Sequence, residues 1–185
     1  MKPVSPVQLI SLFSVLVLFA LHPGGIALAH VSADSMPDSV AEVEYRIFLE
    51  FRPGDIVVLN KLGMVYYRMG KLREAVREFS KVLKLDPKNS DALDGMGLVK
   101  TAQQEYDEAI KYHQQAIGVK ADDMMTYFHL GIALEKKGLF REALDAYHTS
   151  LAKFSEQYPS GTTNKQAAEF EQTIRAAITT IETKL

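Results

Sequence analysis

The chain has 185 residues, of which 47% are hydrophobic and 24% are charged, with a formal net charge of −2. These values are typical of one folded globular domain; they exclude a largely disordered chain, and the lack of a basic stripe argues against a nucleic-acid partner. Because there is no cysteine, the sequence excludes a disulfide framework, a cysteine-linked lipid anchor, a CxxCH haem site and a cysteine zinc site.

The first residues have the three-part layout of a secretory signal peptide. Lys2 gives a positive start, an apolar run extends from Leu9 to Leu21, and small residues precede a cleavage point after Ala29. The apolar run is shorter than the ~20 residues that a spanning helix needs, which argues against an uncleaved membrane anchor. We therefore expect residues 1–29 to be a signal peptide, with His30 as the start of an exported, periplasmic protein that meets the membrane only before cleavage.

A period of 34 residues organises most of the remaining sequence. The residues that recur at this spacing are Gly63, Gly97 and Gly131; Glu74, Glu108 and Glu142; Ala75, Ala109 and Ala143; and Pro53 and Pro87. A regular period of this length indicates stacked structural units, because one small unit cannot bury its apolar face alone.

The first unit, residues 56–89, has the pattern of two amphipathic helices. Apolar residues recur at three- and four-residue steps from Leu59 to Tyr66, and again from Leu72 to Leu83. Gly70 lies between the two runs, where a helix can end in a left-handed residue. Pro87 follows the second run, where proline stops a helix. The unit is therefore predicted to be a helix, a tight turn and a second helix.

The motif Leu59-x2-Leu62-Gly63-x2-Tyr66, followed by Ala75-x3-Phe79 and Pro87, resembles the tetratricopeptide repeat. The resemblance implies an all-α fold: a short right-handed α-solenoid of three helix pairs, with an N-terminal half-repeat helix and a C-terminal capping helix, about eight helices in all. We expect His113 to fill an aromatic slot in the middle unit.

The predicted boundaries follow the repeat. A flexible segment at 30–38 precedes a repeat domain at 39–157, which has a half repeat at 41–53 and full repeats at 56–89, 90–123 and 124–157. A linker at 158–164 and the capping helix at 165–185 come after it.

In this family, ligands lie on a concave wall that is formed by the first helix of each unit. Helical geometry places on that wall, away from the apolar stripes, a set of candidate partner-binding residues: Val57, Asn60, Met64, Tyr67, Arg68, Asp94, Leu98, Met125, Phe128, Ile132, Glu135 and Lys136. Met64, Leu98 and Ile132 form an apolar row, which predicts a groove for a partly apolar protein or peptide partner. The alternative is that some of these side chains belong to the core.

No enzyme motif is found, so we expect a non-catalytic protein without cofactor or metal. The favoured hypothesis is a protein-binding scaffold or adaptor in the cell envelope that acts in assembly of an envelope complex. Two alternatives remain open. One is a self-assembling structural protein, and hence a homo-oligomer. The other is a metal or redox accessory protein, in which the His30 imidazole and a free α-amine chelate copper.

Overall fold

The computed structural model describes residues 36–159 and 162–185, so the predicted signal peptide with Ala29 and His30 lies outside the described residues. Residues Pro37–Leu185 form one compact unit. The described part contains eight helices: α1 Asp38–Phe51, α2 Ile56–Arg68, α3 Leu72–Leu85, α4 Ser90–Ala102, α5 Tyr106–Val119, α6 Met124–Lys137, α7 Phe140–Gln157 and α8 Lys165–Glu182. The prediction of an all-α fold with about eight helices is confirmed.

The first helix of every unit begins at a side-chain cap. Asp55, Asn89 and Asp123 stand 34 residues apart, and their side chains accept hydrogen bonds from the backbone N–H groups of the first turns of α2, α4 and α6. Such a cap satisfies a backbone donor that would otherwise lack a partner within the helix. The repeat therefore sets the start of these three helices through local chemistry.

The turn within each unit passes through one left-handed residue. Gly70 has φ 71° and Gly138 has φ 86°, but the middle unit places Gln104 at the equivalent position with φ 64°. Glycine reaches this region without steric cost, whereas a side chain makes it less favourable. The predicted end of the first helix at Gly70 is confirmed, and the middle unit uses the same turn with a less suitable residue.

The two helices of each unit approach closely at the recurring glycine. A Cβ atom at Gly97 would lie 2.5 Å from Cε1 of His113, and one at Gly131 would lie 2.5 Å from Cε1 of Tyr147. His113 is fully buried, in the slot that Tyr147 occupies in the next unit. The expectation that His113 fills an aromatic slot is confirmed, and the glycine is required because the ring occupies the space of a side chain.

The helices that flank the three pairs cover the two ends of the array. Tyr45 and Leu49 of α1 pack on the core cluster around Phe79. Ile174 and Ile181 of α8 are fully buried in the cluster around Tyr147 and Phe154. The predicted solenoid of three helix pairs with one flanking helix at each end is thus confirmed. None of the helices in the described ranges has the length and apolarity that crossing a membrane demands.

Candidate functional site

The first helices of the three units form the wall on which the sequence placed its candidate residues. Helix α4 contacts α2 on one side and α6 on the other, so side chains from three units share one face. Stacking of this kind presents an extended surface to a partner. The candidate site is therefore assembled from α2, α4 and α6, and one second helix separates each of these from the next in the sequence.

The apolar candidates differ in how far they reach solvent. Val57 is 61% exposed and Met125 is 39% exposed, both in the first turns of their helices. Met64 and Ile132 are half-buried, whereas Leu98 between them is only 8% exposed. Leu98, the middle residue of the predicted apolar row, therefore belongs to the core and does not line an open groove. Partner binding by these residues stays a prediction.

Phe128 is partly covered by the last helix. Its ring makes an edge-on contact with Phe170 of α8, with ring centroids 5.4 Å apart, and lies 5.5 Å from the ring of Tyr147. Contacts of this kind stabilise a core beyond the area that they bury. Helix α8 therefore covers part of Phe128, which stays half-buried.

Most of the polar candidates have partners within the chain. Arg68 pairs with Asp38 of α1, with Nε 3.0 Å from Oδ1. Asn60 donates to the Oδ1 atom of Asn89 over 2.9 Å. The Arg68 contact ties α2 to α1, and the Asn60 contact ties α2 to the start of α4 on the wall.

In the third unit, Glu135 also bonds to side chains of the same chain. Its neighbour Lys136 is exposed. Glu135 accepts hydrogen bonds from Lys184 over 2.7 Å and from the Tyr147 hydroxyl over 3.0 Å. Burial raises the pKa of Glu135, but the bonds from Lys184 and Tyr147 outweigh this and lower it overall. Glu135 is therefore an ionised anchor for the end of α8.

Asp94 is the centre of a cluster that the sequence did not reveal. The Nδ1 atoms of His113 and His129 lie 2.7 Å from its Oδ1 and Oδ2 atoms respectively. Burial would raise the pKa of Asp94, but hydrogen bonds from His113 and then His129 hold it well below its usual range. One sequence signal could have indicated this contact. The residue 34 positions after Asp94 is residue 128, which is next to His129 on the first helix of the following unit.

Tyr67 lies beside this cluster on the same wall. Burial raises the pKa of the Tyr67 phenol, and the charge of Asp94 raises it further. Within the part of the chain that the structure describes, the Tyr67 hydroxyl forms no hydrogen bond. The wall thus offers a half-buried aromatic ring and an unpaired hydroxyl that can donate to a backbone carbonyl of a partner.

The ionisable side chains at the centre of this wall are engaged with one another. Asp94, His113 and His129 bond to one another and tie α4, α5 and α6 together. Across the described ranges, no group of three or more His, Cys, Asp or Glu side chains is placed to hold a metal ion.

Comparison with known proteins agrees with this architecture. Two family models described as tetratricopeptide repeat match residues 56–122 and 95–161, which together are more than half of the chain. The chain is 29% identical over 115 residues to the BBSome complex member bbs-4 of Caenorhabditis elegans, a match covering 62% of this chain and 24% of that protein. It thus spans about a quarter of that relative's length.

The fold is shared with two proteins whose structures were solved with partner segments. The Yersinia enterocolitica type III secretion chaperone SycD, in complex with a peptide of the translocator YopD, has a TM-score of 0.58 and 21% identity, covering 68% of this chain and 91% of that one. PcrH with the chaperone binding region of PopD has a TM-score of 0.59 and 16% identity, covering 68% and 90%. At sequence identities of 21% and 16%, the similarity to these two structures shows a shared fold alone.

Proposed function

This chain belongs to the tetratricopeptide repeat family, and we propose that it is a non-catalytic scaffold that binds a partly apolar segment of another protein. The segment lies along the wall of α2, α4 and α6. Its apolar side chains contact Met64, Ile132 and Met125, and its backbone accepts a hydrogen bond from Tyr67. Lys136, which is exposed, contributes a charge that orients the segment.

The observation that carries this proposal is the Tyr67 hydroxyl, which forms no hydrogen bond in the described chain. A half-buried tyrosine whose hydroxyl has no partner in the described chain is well suited to a ligand that supplies an acceptor. The exposed Val57 and Met125 add apolar surface that no helix of the array covers. The chaperones SycD and PcrH, solved with peptide segments of their partners, support a protein ligand for this fold.

Export to the cell envelope, and a role there in the assembly of a larger complex, are part of the proposal. They rest on the signal-peptide layout of residues 1–29, which precede the described residues. N-terminal sequencing of the protein from fractionated cells tests this part, and the expected first residue is His30 in the periplasmic fraction. A cytoplasmic protein that retains Met1 would contradict export and leave the wall hypothesis intact.

Site-specific photo-crosslinking tests the wall. A benzophenone side chain is placed at Met125 on the wall and, as a matched control, at Val119, which is 45% exposed at the end of α5. We expect a crosslink to a foreign polypeptide from position 125 and none from position 119. Adding Tyr67→Ala should reduce the adduct several-fold. Equal adducts from both positions, or no effect of Tyr67→Ala, would show that the wall does not bind the partner.

A further inference from the structure

His129, on α6, has an unpaired ring nitrogen that reaches solvent. Its Nδ1 atom lies 2.7 Å from Oδ2 of Asp94. Because an ionised carboxylate only accepts hydrogen bonds, Nδ1 carries the hydrogen, and Nε2 of the neutral ring keeps a free lone pair. Nε2 forms no hydrogen bond in the described chain, and it is not enclosed, since 15% of the side chain is exposed. The wall therefore offers a hydrogen-bond acceptor that the fold leaves unused.

His113 shares the same carboxylate but has no access to solvent. Its Nδ1 atom lies 2.7 Å from Oδ1 of Asp94, its side chain is fully buried, and its Nε2 atom is enclosed without a hydrogen-bond partner. A proton at that nitrogen would be a buried donor without an acceptor, which is costly. Helix α7 also packs on α6, but in the described chain it places no charged group within ion-pair distance of His129. His129 is thus the ring of the two that can take up a proton or a ligand.

The repeat does not require this polar contact. The other two units have Lys61 and Gly95 at the positions equivalent to His129, and the third unit has Phe128 where the second has Asp94. Burial raises the pKa of Asp94, but hydrogen bonds from the two histidines hold it well below its usual range, so the carboxylate is ionised. A largely buried charge that stacking does not need is more typical of a recognition site than of packing.

The groups around His129 favour a cation. Asp91 precedes Asp94 by three residues and so lies on the same face of α4, where it is exposed and forms no ion pair in the described residues. The neutral imidazoles share the charge of Asp94 without cancelling it. The phenol of Tyr67 lies within reach of the same charge, and the face of its ring attracts cations.

The basic residues of the wall lie elsewhere or have partners. Lys136 follows His129 by seven residues, which places it about 10 Å further along α6. Arg68 pairs with Asp38 of α1. Lys61 has the position in the first unit that His129 has in the third, and His129 faces the preceding unit, so Lys61 faces away from α4. The centre of the wall is therefore negative, and a carboxylate ligand would be repelled from it.

We propose that His129 and Asp94 form a subsite that takes a Lys or Arg side chain of the bound segment. The cationic N–H of the segment donates a hydrogen bond to Nε2 of His129, while Asp94 behind the ring and Asp91 beside it supply the negative charge. This inference rests on the function proposed above, because it specifies one side chain of the segment that lies along the wall. It also makes a proton and the basic side chain compete for one lone pair.

NMR titration of the isotopically labelled full-length chain tests the subsite. The probes are acetyl-Leu-Lys-Leu-amide and its counterparts with norleucine or glutamate at the centre, and the signals are the backbone amide of residue 129 and the histidine rings. We expect the lysine peptide to bind roughly tenfold more tightly than the norleucine peptide at about pH 8. At about pH 5.5 a proton occupies Nε2 and offsets the charge of Asp94, so the preference should be lost.

Three variants separate the charge and the titration from packing. His129→Gln keeps an acceptor and a donor to Asp94 but does not titrate, so the lysine preference should persist and become independent of pH. Asp94→Asn should remove the preference. His148→Gln is the matched control, because His148 is an exposed histidine on α7, and it should leave the preference and its pH profile unchanged. Circular dichroism should show the same helix content for all variants.

The proposal is overturned if no peptide shifts the signals of residue 129, if the lysine and norleucine peptides bind equally, or if the glutamate peptide binds most tightly. A preference that stays pH-dependent in His129→Gln also overturns it. The photo-crosslink from Met125 reports on the wall independently. An adduct from position 125 without a lysine preference would refute this subsite and leave the proposed function standing, whereas a lysine preference without an adduct would do the reverse.

Discussion

His129 Nδ1 and Asp94 Oδ2 lie 2.7 Å apart, a contact that joins the first helix of the third unit to the first helix of the second. His113 makes the matching contact to the other carboxylate oxygen. Because an ionised carboxylate only accepts hydrogen bonds, the Nδ1 atoms of both histidines carry the hydrogen. One aspartate therefore fixes the tautomers of two histidines and links three helices.

Asp94→Asn should lower the free energy of unfolding by about 2 kcal/mol at neutral pH, because it replaces two charge-assisted hydrogen bonds with weaker ones. The folded-state pKa of Asp94 lies below its ordinary value of 3.8. Its stabilising contribution is therefore complete above about pH 4 and is lost as pH falls towards the folded-state pKa. Urea denaturation across this range should show the difference between wild type and variant shrinking at acid pH. A difference that does not vary with pH would contradict the role of the charge.

Gly97→Ala should destabilise the chain by roughly 1–3 kcal/mol, because the added Cβ meets the His113 ring at 2.5 Å. Gly118→Ala is the matched control, since no atom lies within 4 Å of a Cβ at that helical position. The control should be neutral or stabilise the chain by up to about 1 kcal/mol. Thermal unfolding of both variants measures the contrast, and equal effects would show that the close approach of α4 and α5 is not what requires glycine.

Gln104→Gly should raise the free energy of unfolding by about 0.5–1 kcal/mol, because Gln104 occupies the left-handed region at φ 64°. Its counterpart Gly138 has φ 86°, so the reverse change Gly138→Gln should cost a similar amount. Urea denaturation of the two single variants and of the exchanged pair checks the result. Destabilisation by Gln104→Gly would mean that the glutamine side chain has a stabilising contact.

Phe128→Ala should cost about 3–5 kcal/mol of stability, because Phe128 packs between Tyr147 and Phe170 in the core that α8 completes. Phe170→Ala should cost less, and a double-mutant cycle should give a coupling of about 0.5–1.5 kcal/mol between the rings. Strictly additive losses would contradict direct packing. Partner affinity should be compared only after stability has been measured, because loss of fold would imitate loss of binding.

The sequence by itself determined the repeating architecture. Its 34-residue period, the apolar steps of the first unit, the small Gly63 and the helix stop at Gly70 predicted the helix pairs that the structure contains. These features are local, because apolar spacing, a cap and a left-handed turn residue act within one or two turns of helix. Helical periodicity also placed Met125 and Val57 on a face with solvent access.

Only the tertiary structure decided which candidates are available to a partner. Phe128 is partly covered by Phe170, which lies 42 residues further along the chain. Leu98 is buried between its neighbours on the wall. The convergence of His113 and His129 on Asp94 likewise depends on how successive units stack. Periodicity assigns a side chain to a face of its own helix, whereas burial and hydrogen bonding depend on elements that are distant in the sequence.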